Sequence, residues 1–373
     1  MRFLLTLVLG TFTLGQLAAQ ELHHALSMTL DNRWSVGDGL GEKAFLVSLQ
    51  GLANREAPNL YFVYPPEWPY SFPGPFKDYL SSKYQYEFEE ISGVDEALDR
   101  FRDKVKGYVV WDGAVRTSLI VSFTTAGLED AVVVSEDLIP LVEKAGIPMV
   151  EDFRGRFTGW SDDQIYSWAH DAYWDRVSHD FLIYIGGPAR ERMEAGIADM
   201  AVMKRAFATD LSADPADTLE YQLGDRIFGE MNPWAFVLGW HSYGKDLEGQ
   251  YITQMSRHTL RQEGLNTFPN MSFLTHIKLR EGYRFKNHHN VAPDSTLVPE
   301  AKVYLTCVQT DGLGLGAWFK PGRGEIPYAW ETADGISLEL FPVLQEFYYE
   351  TAKPNDYFIG ALSGPNYMYP KPI

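Results

Sequence analysis

The sequence predicts an α/β protein built on parallel sheets, and three observations carry that. Short β-branched and aromatic runs alternate with amphipathic runs of helical length along most of the chain, which is the pattern of βαβ units. The 373 residues, 45% hydrophobic and 22% charged, supply enough core for two or three globular domains. Polar residues concentrate just after the strand-like runs, where parallel β/α folds build their sites.

Residues 1–19 hold Arg2, an apolar run over 3–9, a second apolar patch through Leu17, and the small residues Ala18 and Ala19. That layout is a secretory signal, too short for a spanning helix. Cleavage is expected near Ala19 or Gln20, giving a secreted or periplasmic protein with no membrane attachment and taking the net charge from −18 to −19. With 50 acidic against 32 basic side chains, the chain is a poor partner for nucleic acid or anionic membrane. A neutral or cationic ligand is easier to accommodate. Cys307 is the only cysteine, so no intrachain disulfide forms despite export, and its apolar setting reads as an inert buried thiol.

After the signal, apolar positions repeat at helical spacing over residues 42–53, and 60–64 reads as a strand. Helices near 75–82 and 94–105, a strand at 107–111, a helix at 114–124, a strand at 131–134 and a helix at 138–145 complete an N-terminal α/β domain over residues 20–150. A second α/β segment spans 151–228. It has a helix at 161–173 capped by Ser161, with Asp162 and Asp163 favouring its positive end, a strand at 181–185, a helix from about 189, and one at 217–229. Residues 229–373 form the C-terminal domain, with strands at 234–240, 302–308 and 356–362 and helices at 251–260 and 339–351.

Three strand exits gather the candidate chemistry: residues 240–248, 309–311 and 363–369. Glycoside hydrolysis uses two carboxyls, one protonated to assist the leaving oxygen and one ionised as nucleophile or base. Asp311 and Glu248 are the candidates, with Asp246 competing for the second role; Asp311 could equally be an Asp-Gly turn and Glu248 a solvated helix start. Trp, Tyr and Phe number 10, 21 and 22, and flat amphipathic rings suit the apolar faces of sugars. Trp240, Tyr367 and Tyr369 are the expected platform, with His241, Asn270 and Arg323 as polar contacts. Tyr367 and Tyr369 fall on one side of an extended segment. A metal site could draw on His241, His276, His288 and His289, but no pair has the i, i+4 spacing of a helical ligand pair. The Gly312–Gly316 run lacks both the Lys-Ser/Thr of a phosphate loop and the third glycine of a dinucleotide fingerprint. No cofactor is called for.

The segment Ser363-Gly364-Pro365-Asn366-Tyr367-Met368-Tyr369-Pro370 resembles the signature of the GxGYxYP family of secreted bacterial glycoside hydrolases, with Asn366 in place of its second glycine. Leu49-Gln50-Gly51-Leu52-Ala53-Asn54-Arg55, Gly239-Trp240 with Glu248, Arg323 to Trp330, and Asn355 to Phe358 are similar to the same family. The resemblance implies an N-terminal α/β region, a TIM-barrel-like C-terminal domain and a carbohydrate substrate. Two departures stand out. The family's strand exit reads Asp-Gly-Asp-Asn, whereas this chain has Asp311-Gly312-Leu313-Gly314. A full barrel takes about 250 residues, whereas residues 229–373 number 145. The barrel is therefore expected to recruit elements from 151–228 or to be truncated. A non-catalytic carbohydrate-binding protein and a metal-dependent deacetylase using Asp311 with His241 or His276 are the alternatives.

Overall fold

The computed structural model describes residues 22–30, 40–64, 73–186, 197–242, 244–263, 269–287, 296, 298–309, 317–331, 335–360 and 367–370. The expected signal, Tyr243, His288, His289, Asp311, the 312–316 glycine run and the first half of the signature lie outside them.

The described strands form four open parallel sheets. The first comprises β1 (His23–Thr29), β2 (Leu60–Val63) and β3 (Tyr86–Glu90) in the order β2-β1-β3, with helices α1 (Leu40–Ala53), α2 (Pro73–Tyr84) and α3 (Gly93–Arg100). The second comprises β4 (Gly107–Val110), β5 (Ala131–Val134) and β6 (Met149–Asp152), ordered β5-β4-β6, with α4 (Arg116–Glu129), α5 (Ile139–Lys144) and α6 (Asp162–Tyr173). The third comprises β7 (Ser178–Ile185), β8 (Ala206–Thr209), β9 (Phe236–Trp240) and β10 (Arg261–Glu263), ordered β10-β9-β7-β8. Its helices are α7 (Ala198–Lys204), α8 (Thr218–Glu230), α9 (Glu248–Ser256) and the single turn α10 (Met271–Leu274). The fourth comprises β11 (Val308–Gln309), β12 (Tyr328–Glu331) and β13 (Asp356–Ile359) in that order, with α11 (Gly335–Leu340) and α12 (Pro342–Glu350).

Most long elements fall where the sequence places them, because their apolar positions are buried. In β4 and β5 every residue is buried, the continuous apolar run of a strand covered on both faces. The N-terminal stretch expected to be one domain carries two sheets: β1, β3 and β6 mix polar with apolar residues and show neither a continuous apolar run nor a clean alternation, so their strand signals were weak. The expected boundary at 228/229 falls inside the third sheet, where β9 pairs directly with β7. Residues 302–308 read as the clearest strand, yet only Val308 and Gln309 join a ladder, and Val303 and Leu305 are 89% and 90% exposed. Alternation marks a half-buried strand only where a sheet receives its apolar face.

The Gln50 to Arg55 motif is a structural lock. Asn54 Oδ1 accepts the backbone N–H groups of Asn59 and Leu60 at 2.9 and 2.8 Å, which fixes the turn from α1 into β2. Asn54 Nδ2 donates to the Leu60 carbonyl and to Ser272. Arg55 bonds Asp130 and the Gly127 and Val202 carbonyls, joining α1 to α4 and α7.

Asn270 completes the lock from the third sheet's side. It is fully buried in the left-handed conformation at the start of α10. Its Oδ1 accepts from Gln50 Nε2 and the Phe62 N–H, both at 2.7 Å, and its Nδ2 donates to the Phe62 carbonyl at 2.7 Å. Asn270→Ala would leave these buried groups unpaired and is expected to cost about 3 kcal/mol. Urea unfolding measures this, and a loss below about 1 kcal/mol would mean the lock does not hold the units together.

Candidate active site

The exit of β9 organises the site. Gly239, with φ +116°, has no room for a side chain: a Cβ there would sit 2.0 Å from the Tyr184 carbonyl oxygen on β7. This close approach brings β9 against β7 up to Trp240, which still pairs with Ile185, and His241 then leaves the sheet at its carboxyl edge. The loop then turns into α9, whose first residue is Glu248, so the helix dipole favours a carboxylate there.

The end of the chain closes over this exit. Tyr367 bridges to Gln262 on β10, its N–H donating to the Gln262 carbonyl at 3.3 Å, and the Tyr369 N–H donates to Ser256 Oγ at 3.0 Å. The Tyr367 ring stacks on Trp240 at 5.7 Å with planes 17° apart, and Tyr369 meets Tyr367 edge-on at 6.0 Å. The Tyr367 hydroxyl donates to Glu248 Oε1. Burial, then the Glu248 carboxylate, pushes the Tyr367 phenol well above its ordinary pKa, so it stays a donor. Trp240 and Glu248 from one strand exit and Tyr367 and Tyr369 from another, distant in sequence, are thus brought together.

His241 lies beside them, buried, with its ring 5.6 Å from Trp240. Its Nδ1 is 2.9 Å from Asp246 Oδ1, and Asp246 also accepts the Ala213 N–H at 2.7 Å. Asp246, the competing acid, is thereby committed to orienting His241 and pinning the loop after β8.

Arg323 and Asn270 are placed elsewhere. Arg323 pairs with Asp356, donates to the Thr351 carbonyl and lies 4.0 Å over the Trp318 ring. Asp356 opens β13, so this cluster sits at the amino-terminal edge of its sheet, opposite the edge where sites form. Asn270 is buried in the structural lock and out of reach of a sugar. His276 Nε2 contacts the Asn54 carbonyl, and burial lowers its pKa. No group of three or more His, Cys, Asp or Glu that could hold a metal occurs among the described residues.

Beneath the β9 loop lies a charge cluster that the sequence reading did not single out. Lys245, with its side chain 2% exposed, reaches Asp162 at 2.7 Å, Glu220 at 2.9 Å and Asp210 at 3.4 Å. Asp210 also accepts from Arg116 and from the Tyr166 hydroxyl. Burial disfavours the Lys245 ammonium, but Asp210, Glu220 and Asp162 outweigh it and hold the ammonium above its ordinary range. Burial also opposes charge on Asp210, yet Lys245 and Arg116 keep that carboxyl well below the usual range. At Glu220 burial dominates and raises the pKa. Asp210 directly follows β8, whose Ala-Phe-Ala-Thr run leaves little strand signal in the sequence.

Residues 25–103, 105–177 and 179–276 match the first, second and third GxGYxYP N-terminal domains, and residues 301–373 match the "GxGYxYP putative glycoside hydrolase C-terminal domain". The chain belongs to the GxGYxYP family. No curated protein matches it. A solved structure described as a putative hydrolase from Bacteroides thetaiotaomicron is similar in fold, with a TM-score of 0.76 at 20% identity. The likeness covers 95% of this chain and 66% of that one. In GxGYxYP terms, Trp240, His241 and Glu248 come from the third domain, while Tyr367 and Tyr369 come from the C-terminal domain and its signature. The candidate site is built at the seam between them.

Proposed function

We propose that this GxGYxYP chain is an exported hydrolase of glycosidic bonds whose site lies at the seam of its third and C-terminal domains. The observation that carries the reading is the Trp240–Tyr367 stack with the Tyr367 hydroxyl on Glu248. Aromatic faces and edges suit the C–H surface of a pyranose, and a carboxylate beside them is where acid/base chemistry on that sugar is needed. Glu248 takes the role of the carboxylate that acts as nucleophile or base, placed at the first turn of α9 and within hydrogen-bond reach of the Tyr367 hydroxyl. The sequence's choice for the second carboxyl is Asp311. The family's C-terminal domain description points the same way.

A glycan-array screen followed by hydrolysis assays on the bound glycans tests this. The expected result is binding to a neutral or cationic glycan with release of new reducing ends. Binding without turnover would favour a carbohydrate-binding module and overturn the hydrolase reading.

A further inference from the structure

We infer that Gln262 is a positioning residue that aligns the two rings of the sugar platform, Trp240 and Tyr367. The inference rests on the reading above in one respect, that these rings receive a sugar. Gln262 is the middle residue of β10, the edge strand of the third sheet. β9, which carries Trp240, pairs with β10, and Tyr367 bridges to Gln262 in antiparallel sense. The two backbones that present the rings are therefore joined through this one residue. Its main chain holds Tyr367, whose N–H donates to the Gln262 carbonyl at 3.3 Å. Its side chain holds the approach to Trp240, with Nε2 donating to the Gly239 carbonyl at 2.6 Å.

The side-chain bond reaches Trp240 through covalent geometry. The Gly239 carbonyl and the Trp240 nitrogen belong to one planar peptide unit, so fixing the oxygen fixes the direction in which the Trp240 Cα leaves. Gly239 has φ +116°, and a glycine backbone has more conformations open to it than any other, so a restraint on its carbonyl has the most to fix here. Trp240 then stacks on Tyr367 at 5.7 Å with planes 17° apart, an alignment that a small rotation of the preceding peptide would spoil. Tyr367 is held independently, by its main-chain bond and by the Tyr369 N–H on Ser256 Oγ. A substitution at 262 therefore moves Trp240 against a fixed partner.

Burial argues that the amide is present for this bond. The Gln262 side chain is fully buried, and its Oε1 has no hydrogen-bond partner. An enclosed amide atom left unpaired costs stability that a methionine of similar volume would not. What the amide gives in return is the donor on the Gly239 carbonyl, and with it a set direction for Trp240.

The test reads Trp240 directly and then the affinity it supports. The full chain and Gln262→Met, which keeps the volume and removes the donor, are labelled with 5-fluorotryptophan and compared by fluorine NMR without ligand. The Trp240 signal is the one missing from Trp240→Phe. Gln262→Met is expected to shift or broaden that signal and leave the other tryptophan signals in place, whereas a residue that served stability alone would lower the melting temperature and leave Trp240 unmoved. The oligosaccharide bound most tightly on the array is then titrated calorimetrically, well below both melting temperatures. Gln262→Met is expected to bind it about tenfold more weakly, equivalent to about 1.4 kcal/mol. An unmoved Trp240 signal, or a moved one with wild-type affinity, would overturn the inference. Should Gln262→Met fail to fold, Gln262→Asn keeps the amide but withdraws it by one methylene, and the same two outcomes decide. Wild type that binds no glycan overturns the sugar platform and this inference together. Binding without turnover overturns the hydrolase reading alone, because both measurements here are made without catalysis.

Discussion

Glu248→Gln is expected to lower turnover on the glycan substrate by about 1,000-fold while leaving the fold intact, corresponding to about 4 kcal/mol of lost transition-state stabilisation. Glutamine keeps the shape and one oxygen to accept from the Tyr367 hydroxyl, so the stack on Trp240 and the bridge to Gln262 should survive. It cannot take a proton from water or carry charge opposite a developing oxocarbenium ion. The loss should therefore appear in kcat with KM little changed, and on a dinitrophenyl glycoside as fully as on the natural one. Tyr367→Phe is the matched comparison: it keeps the ring and removes only the hydroxyl, and should cost nearer tenfold. If Glu248→Gln retained more than a tenth of wild-type turnover with an unchanged melting temperature, Glu248 would be a helix-opening residue with no chemical part.

How much of this could be read in advance depends on the physical signal each element leaves. The buried strands β4, β5 and β9 were legible because continuous apolar runs have few other destinations. The strands β8 and β10 were not, since Ala-Phe-Ala-Thr is poor in β-branched residues and Arg-Gln-Glu is three polar residues. Missing them hid the third sheet, and with it the boundary through its middle. At the candidate site, Trp240, Glu248, Tyr367 and Tyr369, which lie together in the structure, were singled out because aromatic and acidic residues at strand exits are conspicuous. Arg323 and Asn270 were misplaced for a single reason: sequence reports residue type but not which edge of a sheet, or which depth, a residue occupies. Arg323 fell at the amino-terminal edge and Asn270 in the interior. Lys245 was invisible for the opposite reason. Its Gly-Lys-Asp-Leu-Glu context reads as a solvated turn, and only the tertiary fold brings Asp162, Asp210 and Glu220 to it.

Lys245→Met should be the most damaging single change to stability, at about 3–5 kcal/mol, because it leaves Asp162, Asp210 and Glu220 facing one another with only Arg116 to offset them. The sign of the accompanying pH dependence follows from the carboxyls. In the wild type Asp210 has a depressed pKa, so its stabilising contribution is present above the unfolded value of about 3.9 and is lost as the pH falls through the folded one. Without Lys245 the balance reverses. Burial and mutual repulsion then raise the folded pKa values, so the penalty is absent below the unfolded carboxyl pKa and grows as the pH rises through the raised ones. Lys245→Met is therefore expected to lie closest to wild type near pH 4 and furthest below it at pH 8. Urea unfolding midpoints at the two values check this, and a deficit independent of pH would mean that the lost methylene packing, and not the charge, was what mattered. The same substitution releases the loop that carries Trp240, His241 and Glu248, whose backbone is otherwise held by Ser212 and by Asp246 on the Ala213 N–H. If the proposed site is right, glycan affinity should then fall at temperatures well below the unfolding transition, because the loop that leads from Trp240 to Glu248 rests on this charge cluster.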